Sequence, residues 1–282
     1  MRVADALVRA RALGVERLDA QLLLSRRLQQ PRSWLIAHDD HVLAWADEQA
    51  IEQQLQQRAA GVPLAYLLGE REFRGLMLQV TPAVLVPRPE TEHLVEWALE
   101  CVAGVASPRV IDLGTGSGAI AIAVAHARPD ARVCATDVDP AALAVAQDNA
   151  RRHGLAIAFV RSDWWSSVDE GPFDLVLSNP PYIAGDDPHL PALAHEPRHA
   201  LTPEGDGLAA LRAVVTGAVP RLKPGGWLLL EHGYDQGPAV RALLTASGLI
   251  DVSTRQDLAG HDRCSGGRQQ AADARAGMSF AV

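Results

Sequence analysis

Within five residues, Ser178-Asn179-Pro180-Pro181-Tyr182 bring together a side-chain amide, two prolines and a phenol, directly after the apolar run 173–177. The chemistry that set suits is transfer to a planar nitrogen. An amide or amino nitrogen has two N–H donors and a delocalised, weakly nucleophilic lone pair. The Asn179 side-chain oxygen can accept one N–H and the Pro180 carbonyl the other. Pro180 and Pro181 fix φ near about −65° and bring no competing donor. Tyr182 offers a flat face to a planar acceptor. Catalysis of this kind rests on orientation and preorganised charge, without a strong base. The same five residues also make an ordinary proline turn ending a strand, with Tyr182 as a core aromatic, so the surrounding sequence has to decide.

Upstream, Val110 to Gly118 read V-I-D-L-G-T-G-S-G, a strand running into a glycine loop. Gly114, Gly116 and Gly118 allow a sharp turn and close approach of a ligand, and Thr115 and Ser117 stand between them. The helix that follows begins with unpaired N–H groups. Asp137 ends the next strand, nineteen residues beyond Gly118, where a carboxylate accepts from ribose hydroxyls. The loop lacks the G-x-G-x-x-G spacing of dinucleotide folds. Asp112 just before it would repel a pyrophosphate and suits a cationic amino group. These residues point to S-adenosylmethionine. Asp163 and Trp164, after the third strand, stand where an adenine edge and face would lie; Trp164 also reads as rim packing. Trp165 and His126 read as structural.

The elements that must position these groups follow from periodicity. Residues 1–72 carry apolar residues at three- and four-residue spacing in several short segments, which predicts a small helical bundle. Residues 73–89, broken by Thr81-Pro82, predict a hairpin or extended linker. Residues 90–104 predict a helix with Pro89 and Glu90 in its first turn. From about residue 108, short apolar strands alternate with helices. Five strands and two further candidates near 249–256 and 263–269 predict a mainly parallel seven-stranded α/β sheet covered on both faces. The domains expected are 1–72, a linker 73–89, a cofactor-binding domain 90–270 and a loose tail 271–282.

Composition narrows the class. The chain has 282 residues, 48% hydrophobic and 21% charged, with net charge −8. Of its 26 basic residues only Lys223 is lysine, and residues 1–72 balance nine arginines against ten acidic residues. No basic module for stable nucleic-acid binding is visible. No apolar run reaches the roughly 18 residues of a membrane span. The charged N-terminus has no signal-peptide pattern. Cys101, Cys134 and Cys264 form no C-x-x-C pair, so neither a disulfide framework nor a metal site is expected and a cytoplasmic location is.

The glycine loop, Asp137 and "NPPY" together resemble class I S-adenosylmethionine-dependent methyltransferases that modify amide or exocyclic amino nitrogens. "PLAYLLGEREFRGL" (63–76), "VPRPETE" (86–92), "SNPPYI" (178–183) and "LLLEHG" (228–233) are more specific, and resemble the bacterial release-factor glutamine methyltransferases over about residues 1–270. That resemblance implies a Rossmann-like methyltransferase domain behind a helical domain that helps hold a protein substrate. It implies methylation of the glutamine side-chain nitrogen in the Gly-Gly-Gln loop of peptide chain release factors. Carried over, Asn179 and Pro180 bind the glutamine amide and Tyr182 lines its slot, while Gly114 to Gly118, Asp137 and Trp164 hold the cofactor. Segment 189–201 is shorter than the family's usual one. The alternatives are a ribosomal-protein glutamine methyltransferase and a nucleic-acid adenine or cytosine amino-methyltransferase, which extrudes its base.

Overall fold

The structure, a computed structural model, describes residues 1–169 and 171–271, so most of the tail expected at 271–282 lies outside it. It forms two compact units. The first is Met1–Arg71 with Val80–Pro82; the second is Glu72–Gln79 and the chain from Ala83 on.

The first unit holds five helices: α1 (Val3–Ala12), α2 (Arg17–Leu28), α3 (Arg32–Ala37), α4 (Trp45–Ala59) and α5 (Leu64–Leu68). Their apolar stripes meet in a core that includes Val3, Ala6, Leu23, Leu24, Leu35, Ile51 and Leu55. Ion pairs Arg9–Glu52, Arg27–Asp47 and Arg58–Asp19 link α1 and α2 to α4 at the rim. Gly69 (φ 76°) caps α5 in the left-handed region and turns the chain into an extended path. Strand β1 (Glu70–Phe73) therefore starts inside the stretch whose spacing predicts helix, because a glycine stop outweighs the helix propensity of Glu-Arg-Glu. Arg74 and Gly75, both at positive φ, form the two-residue turn to β2 (Leu76–Gln79), as a tight hairpin requires.

In the second unit, helix α6 (Thr91–Cys101) starts one residue after Glu90, so Pro89 and Glu90 precede its first turn rather than occupy it. A seven-stranded sheet follows: β3 (Arg109–Leu113), β4 (Arg132–Asp137), β5 (Ile157–Arg161), β6 (Phe173–Ser178), β7 (Leu222–Glu231), β8 (Ile250–Gln256) and β9 (Asp262–Arg268). Its order is β5-β4-β3-β6-β7-β9-β8. The pairs from β5 to β7 are parallel and β9 is antiparallel to both its neighbours. Helices α7 (Ala119–Ala127) and α8 (Pro140–Arg152) make the crossovers on one side of β3. A short helix α9 (Arg198–Leu201), then α10 (Ala209–Ala218) and α11 (Gly237–Ala246), complete the chain. Strand alternation sends Val110, Leu175 and Leu229 into the cluster that also holds Leu94 and Ile122. Ile111, Val176 and Leu228 go into the opposite one with Leu211 and Leu244.

The chain enters the sheet at β3, steps outward to β5, and returns to lay β6 on the other side of β3. That reversal leaves a crevice at the carboxyl ends of β3 and β6, the position where open α/β sheets bind ligands.

Candidate functional site

Register brings the two motifs together. Leu113 pairs with Ser178, so Gly114 and Asn179 are the next residues off two adjacent strands. The Ser178 hydroxyl donates to the Leu113 carbonyl at 2.7 Å and ties these ends. Leu113 also pairs with Thr136, one residue before Asp137.

Gly114, Gly116 and Gly118 all have positive φ. A Cβ on Gly116 would meet nothing within 4 Å, which leaves its backbone open to a ligand. Gly118 is closed: a Cβ there would come within 2.9 Å of Ile122 and 3.2 Å of Ala146, so its role is close packing of α7 on α8. The Gly116 N–H donates to Asp137 Oδ2 at 2.9 Å and the Asp139 N–H to Oδ1 at 3.0 Å. These bonds fix the carboxylate while each oxygen keeps acceptor capacity. Burial raises the Asp137 pKa against those two amides. Asn149 of α8 braces the loop further by donating to the Ser117 carbonyl at 2.9 Å.

A cavity of about 790 Å³ opens over this loop, a volume within the roughly 300–1,000 Å³ of small-molecule sites. Gly114, Thr115, Gly116, Ser117, Asp137, Asp163, Trp164, Asn179 and Pro181 line it. Trp164 lies over the loop, its ring 3.5 Å from where a Gly114 Cβ would be, and is held at φ 48°. Its carbonyl accepts from the Ser162 hydroxyl at 2.8 Å. Trp165 instead packs inward and donates its indole N–H to the Val214 carbonyl.

Four expected site residues do not reach the cavity wall: Asp112, Gly118, Pro180 and Tyr182. Asp112 is fully buried beneath the loop, where its Oδ2 accepts from the Thr115 hydroxyl at 2.6 Å. Through that bond it braces the loop, while its Oδ1 has no hydrogen-bond partner. Burial pushes its carboxyl up to about 7, against the Thr115 hydroxyl and the Ala121 amide. Tyr182 turns towards the second core cluster, and its hydroxyl donates to Glu231 Oε1 at 3.4 Å. Burial raises its phenol pKa, so it stays neutral. Pro181, not Tyr182, supplies the apolar wall beside Asn179.

Sequence reasoning also left several participants without a role. The Asn179 side-chain nitrogen donates to the Thr91 hydroxyl at 3.2 Å, and Thr91 lines the cavity. Arg88 pairs with the buried Glu196, which also accepts from the Val86 N–H at 3.0 Å. That carboxylate joins the segment before α6 to the segment before α9. Glu231 lies fully buried behind the acceptor loop. The motifs "VPRPETE" and "LLLEHG" contained three of these residues, and segment 189–201 the fourth, but no spacing rule linked them to Asn179.

The N-terminal region, residues 2–69, matches the PrmC N-terminal domain, and residues 96–211 match the methyltransferase small domain. A release factor glutamine methyltransferase of Bordetella pertussis is 52% identical over 257 residues, covering 90% of this chain and 95% of the relative. One of Burkholderia pseudomallei is 52% identical over 267 residues, covering 92% and 94%. The chain belongs to the release factor glutamine methyltransferase family.

The fold of this family member is that of a class I S-adenosylmethionine-dependent methyltransferase. It superposes with a TM-score of 0.54 on a T. thermophilus 16S rRNA N2 G1207 methyltransferase solved with AdoMet and guanosine. The two share 21% identity, over 71% of this chain and 50% of that one. Its cavity suits that cofactor: the open backbone at Gly116, the fixed Asp137 carboxylate, and an apolar wall from Ile120, Val138 and Ala142. Among the described residues, no helix is long and apolar enough to cross a membrane.

Proposed function

We infer that this family member transfers a methyl group from S-adenosylmethionine to the side-chain nitrogen of the glutamine in the Gly-Gly-Gln loop of peptide chain release factors. The observation that supports it most is the fixed Asn179 amide at the cavity wall, one residue off β6 and beside the glycine loop.

Bound S-adenosylmethionine supplies an electrophilic methyl on a sulfonium. Asp137 would accept from the ribose hydroxyls, Gly114 to Gly116 would give the cofactor backbone contact, and Asp163 and Trp164 would border the adenine. Asn179 Oδ1 would accept one N–H of the substrate amide, which orients that nitrogen for transfer. Pro181 excludes water from one side, and Tyr182 holds the loop from behind. Residues 1–72 hold the protein substrate. Ile36, Val42 and Trp45 of that region are exposed apolar side chains available for it.

The test incubates the protein and labelled cofactor with a release factor, with the same factor carrying Ala for the loop glutamine, with ribosomal proteins, and with DNA or RNA. Label on the unaltered factor alone is the expected result. Label on ribosomal protein or nucleic acid, with none on the factor, would overturn it.

A further inference from the structure

Pro180 and Pro181 carry no N–H, so the backbone of the acceptor loop has no donor of its own at those two residues. Its anchors must reach a side chain or a carbonyl. Before the prolines, Asn179 Nδ2 donates to Thr91 Oγ1 at 3.2 Å. After them, Gln236 Nε2 donates to the Tyr182 carbonyl at 2.9 Å.

Gln236 stands directly before α11, 54 residues from Tyr182 in sequence. Its amide is held at the other end as well: Oε1 accepts from the Gly233 N–H at 2.9 Å. Only the oxygen can accept and only the nitrogen can donate, so the two partners together allow one orientation of the amide. Gly233 is itself fixed. Its carbonyl accepts from the Gln236 N–H at 3.0 Å and from His232 Nδ1 at 2.8 Å. His232 Nε2 lies 2.7 Å from the Ser265 hydroxyl, and both residues are fully buried. Ser178 pairs with Leu230, so the acceptor loop and the run Glu231-His232-Gly233 leave adjacent strands side by side. All of these residues belong to the second unit.

Packing closes over the same bond. A Cβ on Gly207 would clash with the Tyr182 carbonyl oxygen and lie 3.0 Å from Gln236 Nε2 and 3.1 Å from the Ala184 nitrogen. The backbone before α10 reaches the bond because Gly207, at φ 73°, has no side chain.

We propose that Gln236 is a positioning residue for methyl transfer, its amide tying the Tyr182 carbonyl to the end of β7 and so holding Asn179 in line with the methyl donor. Without that bond the proline turn is free at its downstream end, and Asn179 loses its alignment. This reading rests on Asn179 as the acceptor clamp.

The test uses Gln236→Glu and Gln236→Leu. The first is nearly isosteric and keeps the acceptor for the Gly233 N–H. At about pH 8, where the introduced carboxyl is ionised, it sets an oxygen against the Tyr182 carbonyl in place of the donor. The second variant removes both bonds. Each is compared with wild type and Asn179→Ala for kcat and KM on release factor, cofactor affinity and thermal stability, with rates taken per folded enzyme. Gln236→Glu is expected to lower kcat roughly 10- to 100-fold, the scale of a small misplacement of a positioning group. KM for release factor and cofactor affinity should stay within about threefold, and Gln236→Leu should lose at least as much kcat. In an Asn179→Ala background, Gln236→Glu should add less than about twofold, because residues acting as one unit are not additive. A wild-type kcat for Gln236→Glu beside an impaired Asn179→Ala would overturn the proposal. So would a loss confined to KM, or two losses that multiply in full. A normal rate for Asn179→Ala would instead remove the acceptor clamp itself, which separates the two failures. Should Gln236→Leu not fold, Gln236→Glu and the double variant still decide.

Discussion

Asn179 leaves β6 level with Gly114 on β3, and its side-chain nitrogen donates to Thr91 Oγ1 at 3.2 Å. One register position thus holds the group that would meet the acceptor and the loop that would hold the methyl donor. Asn179→Ala should leave the glycine loop and cofactor affinity nearly intact. Turnover should fall on the order of 10²-fold, the size of effect seen when one preorganised polar group is removed. Calorimetric cofactor binding and single-turnover rates check this; equal loss of both would make Asn179 structural.

Gly116 and Gly118 separate ligand approach from packing. Gly118→Ala places a methyl against Ile122 and Ala146 at φ 85°. It should lower stability by about 1–3 kcal/mol, as overpacking does. Gly116→Ala meets no protein atom within 4 Å, so only the positive φ costs stability, about 1 kcal/mol. Its main effect should be weaker cofactor binding. Denaturant melts and cofactor titration of the two variants should give opposite rankings.

The buried Asp112 gives the cofactor-free protein a pH signature. Its carboxyl is raised from 3.8 to about 7, first by burial. A raised acid binds its proton more tightly when folded, so the stability it contributes is complete below pH 4 and is lost as pH rises through 7. The gap between wild type and Asp112→Asn should shift against the wild type between about pH 4 and 7 and level off above that, by at most on the order of 4 kcal/mol. Urea midpoints at several pH values measure it; a constant gap would place the Asp112 proton elsewhere.

Glu196 anchors two segments that approach the cavity. Glu196→Ala removes the partner of Arg88 and the acceptor of the Val86 N–H. Stability should fall by roughly 2 kcal/mol, the scale of an unmade charged hydrogen bond. Hydrogen exchange should rise at residues 84–88, the segment that loses its anchor. Unchanged exchange there would show that the segment is held by other contacts.

Much of the fold was legible because its signals are local. Alternation of apolar strands and helices marked β3 to β7, and the order of glycines marked the turn from β3 to α7. Asp137 was legible by its distance from that turn. Other features turn on stops and contacts that periodicity does not weigh, some of them between residues far apart. β1 begins at Glu70 because Gly69 ends α5, although Glu-Arg-Glu reads as helix. β7 begins at Leu222, ahead of the apolar run from Trp227, because Leu222 pairs with Phe173 across an irregular register. Tyr182 turns inward because Glu231, 49 residues away, offers its hydroxyl an acceptor. The Asp112 bond to Thr115, three residues on, was not legible either, because no spacing rule marks a hydroxyl in the loop as the partner of the carboxylate before it.

The most direct measurement locates the methyl group. Release factor is incubated with this protein and S-adenosylmethionine, digested, and its Gly-Gly-Gln peptide sequenced by tandem mass spectrometry. One added methyl on the glutamine side chain, absent with Asn179→Ala, is the predicted result. An unmodified glutamine alongside methylation elsewhere in the factor, or on another class of substrate, would contradict it.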